Sequence, residues 1–185
     1  MNEQQYRTVI GWFNARPAAK KALRAVSTGS AVAVYLLYLG LLAWLAWHAM
    51  WVPLGVTAVV PAAAFVVGTA LRAAINRPRP YTKYGFVPLF PKDKTGQSMP
   101  SRHCFSAAAI AAAVWYVLPP LGAVLAVLAV IIAVSRVVTG VHFVSDVLAG
   151  LAFPALAQGV RPLMTVAIFV LVLGTFLQVD GAAFR

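Results

Sequence analysis

Most of the groups able to do chemistry in this chain fall between Arg72 and Asp146. They form three clusters. The first is Arg72 with Arg77-Pro78-Arg79-Pro80, the second is Pro100-Ser101-Arg102-His103, and the third is Ser135-Arg136 followed by His142 and Asp146. Arginine is a planar, permanently charged fork that matches phosphate oxygens in bidentate fashion. Arg72, Arg79 and Arg136 would therefore make a phosphoryl clamp if the fold brought them together. Taken singly, each is more simply read as a snorkelling residue at a membrane interface. Ser101 suits a helix N-cap, and a helix N-terminus with free N–H groups favours an anion beside it. His103 would lie in the first turn of that helix.

The spacing of His142 and Asp146 is i, i+4, which predicts one helix face for both. A carboxylate bonded to one imidazole nitrogen fixes the tautomer and frees the other nitrogen to attack. The chain has three histidines and four acids in all, so this concentration is informative. Together the parts suit phosphoryl transfer. Arginines would hold the oxygens and stabilise charge as it develops, one histidine would attack phosphorus, and the other would protonate the departing oxygen. Two histidines and one aspartate split by a loop match a zinc site poorly, so no metal is expected. Cys104, the single cysteine, reads as a small buried residue. His48 lies among Trp44, Trp47 and Trp51 without charged company and reads as interfacial.

The elements that must position these clusters are set by composition. The chain is 62% hydrophobic and only 10% charged over 185 residues. Its apolar runs approach the roughly 20 residues that cross a bilayer as a helix. They are continuous rather than alternating, which selects helices over a barrel. The expected fold is all-α: a polytopic membrane bundle of about six helices near 29–50, 54–71, 102–118, 121–136, 142–158 and 163–179. Residues 1–28 are expected as a basic N-terminal segment, either an interfacial helix carrying Trp12 and Phe13 or a solvated tail. Residues 29–179 would be the membrane domain and 180–185 a C-terminal tail. The apolar part of the 72–101 connection, Tyr84–Pro91, is expected to lie on the membrane surface. With alternating spans, all three clusters fall on one face. The net charge of +11 fits membrane lipid headgroups and an anionic substrate, and no basic run interleaved with aromatics points to nucleic acid.

The clusters in order resemble the signature of the PAP2 (type 2 phosphatidic acid phosphatase) superfamily. The family's first motif is Lys, six residues, Arg-Pro, and here reads Arg72, six residues, Arg79-Pro80. The second is Pro-Ser-Gly-His, and here reads Pro100-Ser101-Arg102-His103. The third is Ser-Arg, five residues, His, three residues, Asp, and Ser135-Arg136, His142 and Asp146 keep that spacing. The resemblance implies His142 as nucleophile, Asp146 as its orienting partner and His103 as general acid and then base. It implies phosphate binding by Arg72, Arg79, Ser101 and Arg136, with no cofactor. Two positions depart from the pattern: Arg72 replaces Lys, and Arg102 replaces a Gly that would let the backbone approach phosphate. Arg102 is expected to turn outward, with a contact to a second phosphate or an acidic headgroup as the other option. Arg77 is a further candidate contact.

The expectation is a metal-independent lipid phosphatase acting through a phosphohistidine, in a bacterial cell membrane and embedded among membrane lipids. Polyprenyl diphosphate is favoured over phosphatidylglycerophosphate or phosphatidic acid. The reading from another class is a non-catalytic transporter or channel that binds lipid phosphate. Lys20, Lys21 and Arg24 place the site face in the cytoplasm by the positive-inside rule. Oligomeric state is not legible.

Overall fold

The computed structural model describes residues 1–158 of the chain, with side chains through Pro154. Among these residues every regular element is a helix: α1 (Glu3–Asn14), α2 (Pro17–Trp47), α3 (Trp51–Ile75), α4 (Pro80–Tyr84), α5 (Arg102–Val117), α6 (Pro119–Val138) and α7 (Val144–Gln158). This is the expected all-α membrane bundle. α2, α6 and a stretch comprising α3 with α4 are long and apolar enough to cross a membrane. The expected spans at 102–118 and 142–158 correspond to α5 and α7, which are shorter. The expected span at 163–179 and the tail at 180–185 lie outside the described residues.

The helix boundaries follow local chemistry. Pro17 opens α2 and Pro119 opens α6, at the position where a missing N–H costs nothing. α2 is 31 residues long, or about 46 Å at 1.5 Å per residue. It starts 12 residues before the expected span, because Ala18, Ala19 and Ala22 favour helix and lysine and arginine do not oppose it. Trp44, Trp47 and Trp51 cluster at the α2–α3 turn and are largely exposed, as an interfacial belt should be. The His48 ring packs at a tilt against Trp44, with centroids 4.7 Å apart, and takes no part in the site.

α5 is the central helix and packs against α3, α6 and α7. Its buried face is built from Ala107, Ala109, Ala111 and Ala113, so neighbouring backbones can approach closely. Close approach of this kind is how helices associate when lipid removes the hydrophobic drive. Gly150 of α7 shows the same logic, since a Cβ there would meet Cys104 Cβ at 2.9 Å and the Ser101 carbonyl at 3.0 Å. Cys104 is fully buried at this contact, a packing residue as its sequence context suggests.

The N-terminal segment is neither a loose tail nor detached from the bundle. α1 is closed by a capping box, Asn2 and Gln5 each accepting the other's backbone N–H. It buries Tyr6 and Ile10 against Tyr81, Phe86, Leu89 and Phe143. The 84–91 segment therefore departs from its expected place on the membrane surface. Phe86 and Leu89 turn inward to cover α1, while Val87 stays exposed.

Candidate active site

All three sequence clusters meet at one end of the bundle. Arg72 lies in the last turn of α3, which Asn76 ends in the left-handed conformation that asparagine tolerates. Pro78 and Pro80 then hold the chain extended until α4 begins, and Arg79 is the residue before that helix. Arg72 and Arg79 are only 6% and 7% exposed, so both are built into the wall. Arg72 donates to the Gln97 carbonyl, and Arg79 Nε donates to the Gly96 carbonyl at 3.1 Å. Arg136 enters from the last turn of α6.

These residues line a cavity of about 370 Å³ together with Arg102, His103 and His142. Ser101 borders α5 as its N-cap, yet its hydroxyl makes no cap hydrogen bond. Among the described residues its Oγ and the Arg136 Nε are buried without a partner. A buried donor left unmade costs about 1–3 kcal/mol, so the Arg136 Nε, on a residue that lines this cationic cavity, and the Ser101 hydroxyl, two residues from the lining His103, are suited to ligand oxygens. Arg102 is exposed, in line with the outward expectation, but it also lines the cavity and so stands at its mouth.

His142 does not lie on a helix face with Asp146, as the i, i+4 spacing suggested. It sits in the turn between α6 and α7, which begins only at Val144. Gly140 makes that turn possible at φ +75. Asp146 occupies the third position of α7 and reaches back, its Oδ2 accepting the Phe143 N–H at 2.9 Å. The carboxylate thus secures the start of α7 right beside His142. His142 Nδ1 lies 3.5 Å from Asp146 Oδ2, long for a direct hydrogen bond.

Ser98 closes that gap. Its hydroxyl donates to Asp146 Oδ2 and lies 3.3 Å from His142 Nδ1. The consistent proton arrangement is Nδ1–H donating to Ser98 Oγ and Ser98 donating to Asp146. Nε2 then keeps its lone pair, on the ring that lines the cavity. Burial lowers the His142 pKa below its ordinary value, against the opposing pull of Asp146, which favours the neutral ring a nucleophile needs. Asp146 is also held at Oδ1 by Arg77 Nη1 at 2.8 Å. Arg77 further reaches Ser145 Oγ at 2.7 Å and stacks on the Phe143 ring at 4.5 Å. Arg77 is thus engaged behind His142, away from the cavity where it was a candidate contact.

A further tether comes from α1. The Tyr6 hydroxyl donates to the His142 carbonyl at 3.0 Å, and its ring stacks on Phe86 at 5.6 Å. Burial raises the Tyr6 pKa to about 12, so the hydroxyl stays a donor at neutral pH. Motifs two and three are joined directly, with the Ser101 N–H donating to the Asp146 carbonyl at 2.9 Å. Neither Ser98 nor Tyr6 stands out in the sequence. Ser98 precedes Pro100 by two residues and looks like loop, and Tyr6 lies 136 residues from its partner.

The PAP2 superfamily model matches residues 51–165, more than half the chain and all three clusters. The chain belongs to the PAP2 superfamily. The crystal structure of Aquifex aeolicus LpxE is similar to this protein with a TM-score of 0.64, at 22% identity, over 90% of this chain and 94% of that one. A transmembrane PAP2 type phosphatidylglycerolphosphate phosphatase from Bacillus subtilis matches at TM-score 0.42 and 22% identity, over 95% and 94% of the two chains. The first of these likenesses covers more of the chain than residues 51–165. No curated protein matches the chain in sequence.

Proposed function

We propose that this PAP2 protein is a membrane lipid phosphatase working through a phosphohistidine on His142. The observation that carries this is the His142 ring, relayed through Ser98 to Asp146 on one side and facing a cavity with Arg72, Arg79, Arg136 and His103 on the other. Nε2 attacks phosphorus. The arginines and the Ser101 hydroxyl hold the non-bridging oxygens, whose charge grows in the transition state. His103 gives its proton to the departing oxygen. A bound phosphoryl dianion favours the protonated imidazole beside it. His103 then takes a proton from water as that water attacks the phosphohistidine and frees phosphate.

A second cavity supports a lipid rather than a soluble substrate. It shares His103, Arg136 and Lys92 with the first and extends along α2 past Ala31, Val32 and Tyr35. Val32 and Tyr35 are half exposed on the face of a helix able to cross a membrane. An acyl or prenyl chain lying there would place its phosphate at His142. Among lipid phosphates, polyprenyl diphosphate is the favoured substrate. The site face is the cytoplasmic one in a bacterial cell membrane, and residues 29–179 are the membrane phosphatase domain.

Phosphate release from a panel of lipid phosphates by the detergent-purified protein tests the reading. Wild type should turn over at least one, and His142→Ala should lose that activity by at least about 10³-fold, the scale seen when a nucleophile is removed. Equal slow release by both proteins from every substrate would leave a lipid-binding transporter or channel as the better account. Because arginines supply the charge, turnover should persist in excess EDTA. Its loss, restored by a divalent metal, would overturn the metal-independent mechanism.

A further inference from the structure

The cavity carries more positive charge than one phosphoryl group needs. Its walls hold six cationic side chains and a single carboxylate, Asp93. Arg72, Arg79 and Arg136 form the inner wall beside His103 and His142. Arg102, Lys92 and Lys94 are exposed and stand further out. Among the described residues none of these three is in an ion pair, and the three ion pairs present lie elsewhere or behind Asp146. A phosphate monoester dianion held by the inner arginines leaves the outer charges uncompensated.

The outer group is also fixed in place. The Tyr81 hydroxyl donates to the Lys94 carbonyl, and the Thr82 hydroxyl donates to the Thr95 carbonyl at 3.1 Å. The Arg79 N–H donates to the same Thr95 carbonyl at 3.2 Å, while its Nε holds Gly96. The loop carrying both lysines is therefore pinned to an arginine of the inner wall. Arg102 opens α5 one residue from His103, so its backbone is equally fixed. Lys92 additionally lines the cavity that runs along α2. The two charge sets thus line one space.

We propose that Arg102, Lys92 and Lys94 form a second anion subsite, which takes a second phosphate-type group carried by the same lipid substrate. This deepens the phosphatase reading and rests on it. With a diphosphate, His142 Nε2 bonds to the terminal phosphorus and the bridging P–O bond breaks. The bonding pair leaves with the oxygen of the lipid monophosphate. The outer cations then hold a leaving group whose charge is growing, which lowers the barrier as well as binding the substrate. Asp93 opposes this only in part, as one charge against three.

Binding can be measured apart from turnover. Full-length His142→Ala protein in detergent, titrated calorimetrically, should bind inorganic pyrophosphate more tightly than orthophosphate. Adding Arg102→Gly, or Lys92→Ala with Lys94→Ala, should cut that preference about tenfold, the scale of losing charged hydrogen bonds near a surface. An unchanged preference, or equal losses for both anions, would overturn the subsite. In active protein, Arg102→Gly should lower the ratio of kcat/KM for a prenyl diphosphate over the matching monophosphate. A glycerolipid carrying a phosphomonoester and a separate phosphodiester forms the third arm. Selective loss there instead would identify a headgroup phosphate as the second anion, and no selective loss in either arm would overturn the proposal. A pyrophosphate preference in a protein that releases phosphate from no lipid would sink the phosphatase reading and leave the subsite standing.

Discussion

Ser98 shows how much of the site depends on one hydroxyl. It bridges His142 Nδ1 and Asp146 Oδ2, which are too far apart for a good direct bond. Ser98→Ala removes the acceptor that holds the Nδ1–H tautomer. The expected result is a kcat loss of about tenfold, the order of one orienting hydrogen bond near a charge, with KM and thermal midpoint little changed. An unaltered kcat would mean that Asp146 orients the ring alone. The pH profile reports on the same ring. Because burial lowers the His142 pKa, the neutral ring persists to more acidic pH than an ordinary imidazole would allow. Activity should be present above that pKa and fall as pH drops through it, so the acid limb of kcat/KM should lie below about 6.5. The convergence of Arg72, Arg79, Ser101, His103, Arg136, His142 and Asp146 on one end of the bundle was legible because their spacing is a pattern. Ser98 was not, because its partners lie 44 and 48 residues away and only the fold joins them.

At the scale of elements, the turn bearing His142 is held from two sides. α7 holds it through Asp146, and α1 holds it through Tyr6 and Ile10. Ile10 Cδ1 and the Phe86 ring crowd Gly140 so closely that a Cβ there would meet them at 3.0 and 2.9 Å. The Tyr6 hydroxyl is the donor found for the His142 carbonyl. Tyr6→Phe keeps the ring and its stack on Phe86 but leaves that buried carbonyl unpaired, at a cost of about 1–3 kcal/mol. Since small shifts at a nucleophile are costly to rate, kcat should fall several-fold while KM holds. Tyr6→Ala should lose thermal stability too, because it also empties a fully buried site. A wild-type kcat in Tyr6→Phe would reduce α1 to packing alone. Span counting located α2, α3 and α6, where hydropathy is strong. It left residues 1–28 open between a helix and a tail, and it missed that α1 and residues 84–91 pack on each other. Their apolar groups face each other rather than lipid, and hydropathy does not distinguish those two destinations.

At the scale of the whole molecule, charge is segregated between the two ends of the bundle. Lys20, Lys21 and Arg24 begin α2 at the end where α1 meets the site, and Arg24 lies over Phe90 at 5.4 Å. The other end of α2 carries the exposed Trp44 and Trp47 and the uncharged turn to Trp51. Lysine and arginine flanking a span are retained on the cytoplasmic side. The arginines inside the site are excluded from that count, since they are explained by the phosphoryl group. The lysines at the start of α2 are not, and on the proposed reading they would orient the bundle with its cavity toward the cytoplasm. A lipid phosphate would then be dephosphorylated on the inner leaflet. In a Cys104→Ser background, Met50→Cys should react with a membrane-impermeant maleimide in intact cells. Lys20→Cys should react only after the membrane is opened. Met50 is exposed and Lys20 is partly exposed, and they flank α2 at opposite ends, so each serves as the control for the other. The reverse pattern would place the cavity outside. In that case the basic start of α2 would be read as part of an anion-attracting surface around the site, continuous with Lys92 and Arg102, rather than as a topological signal.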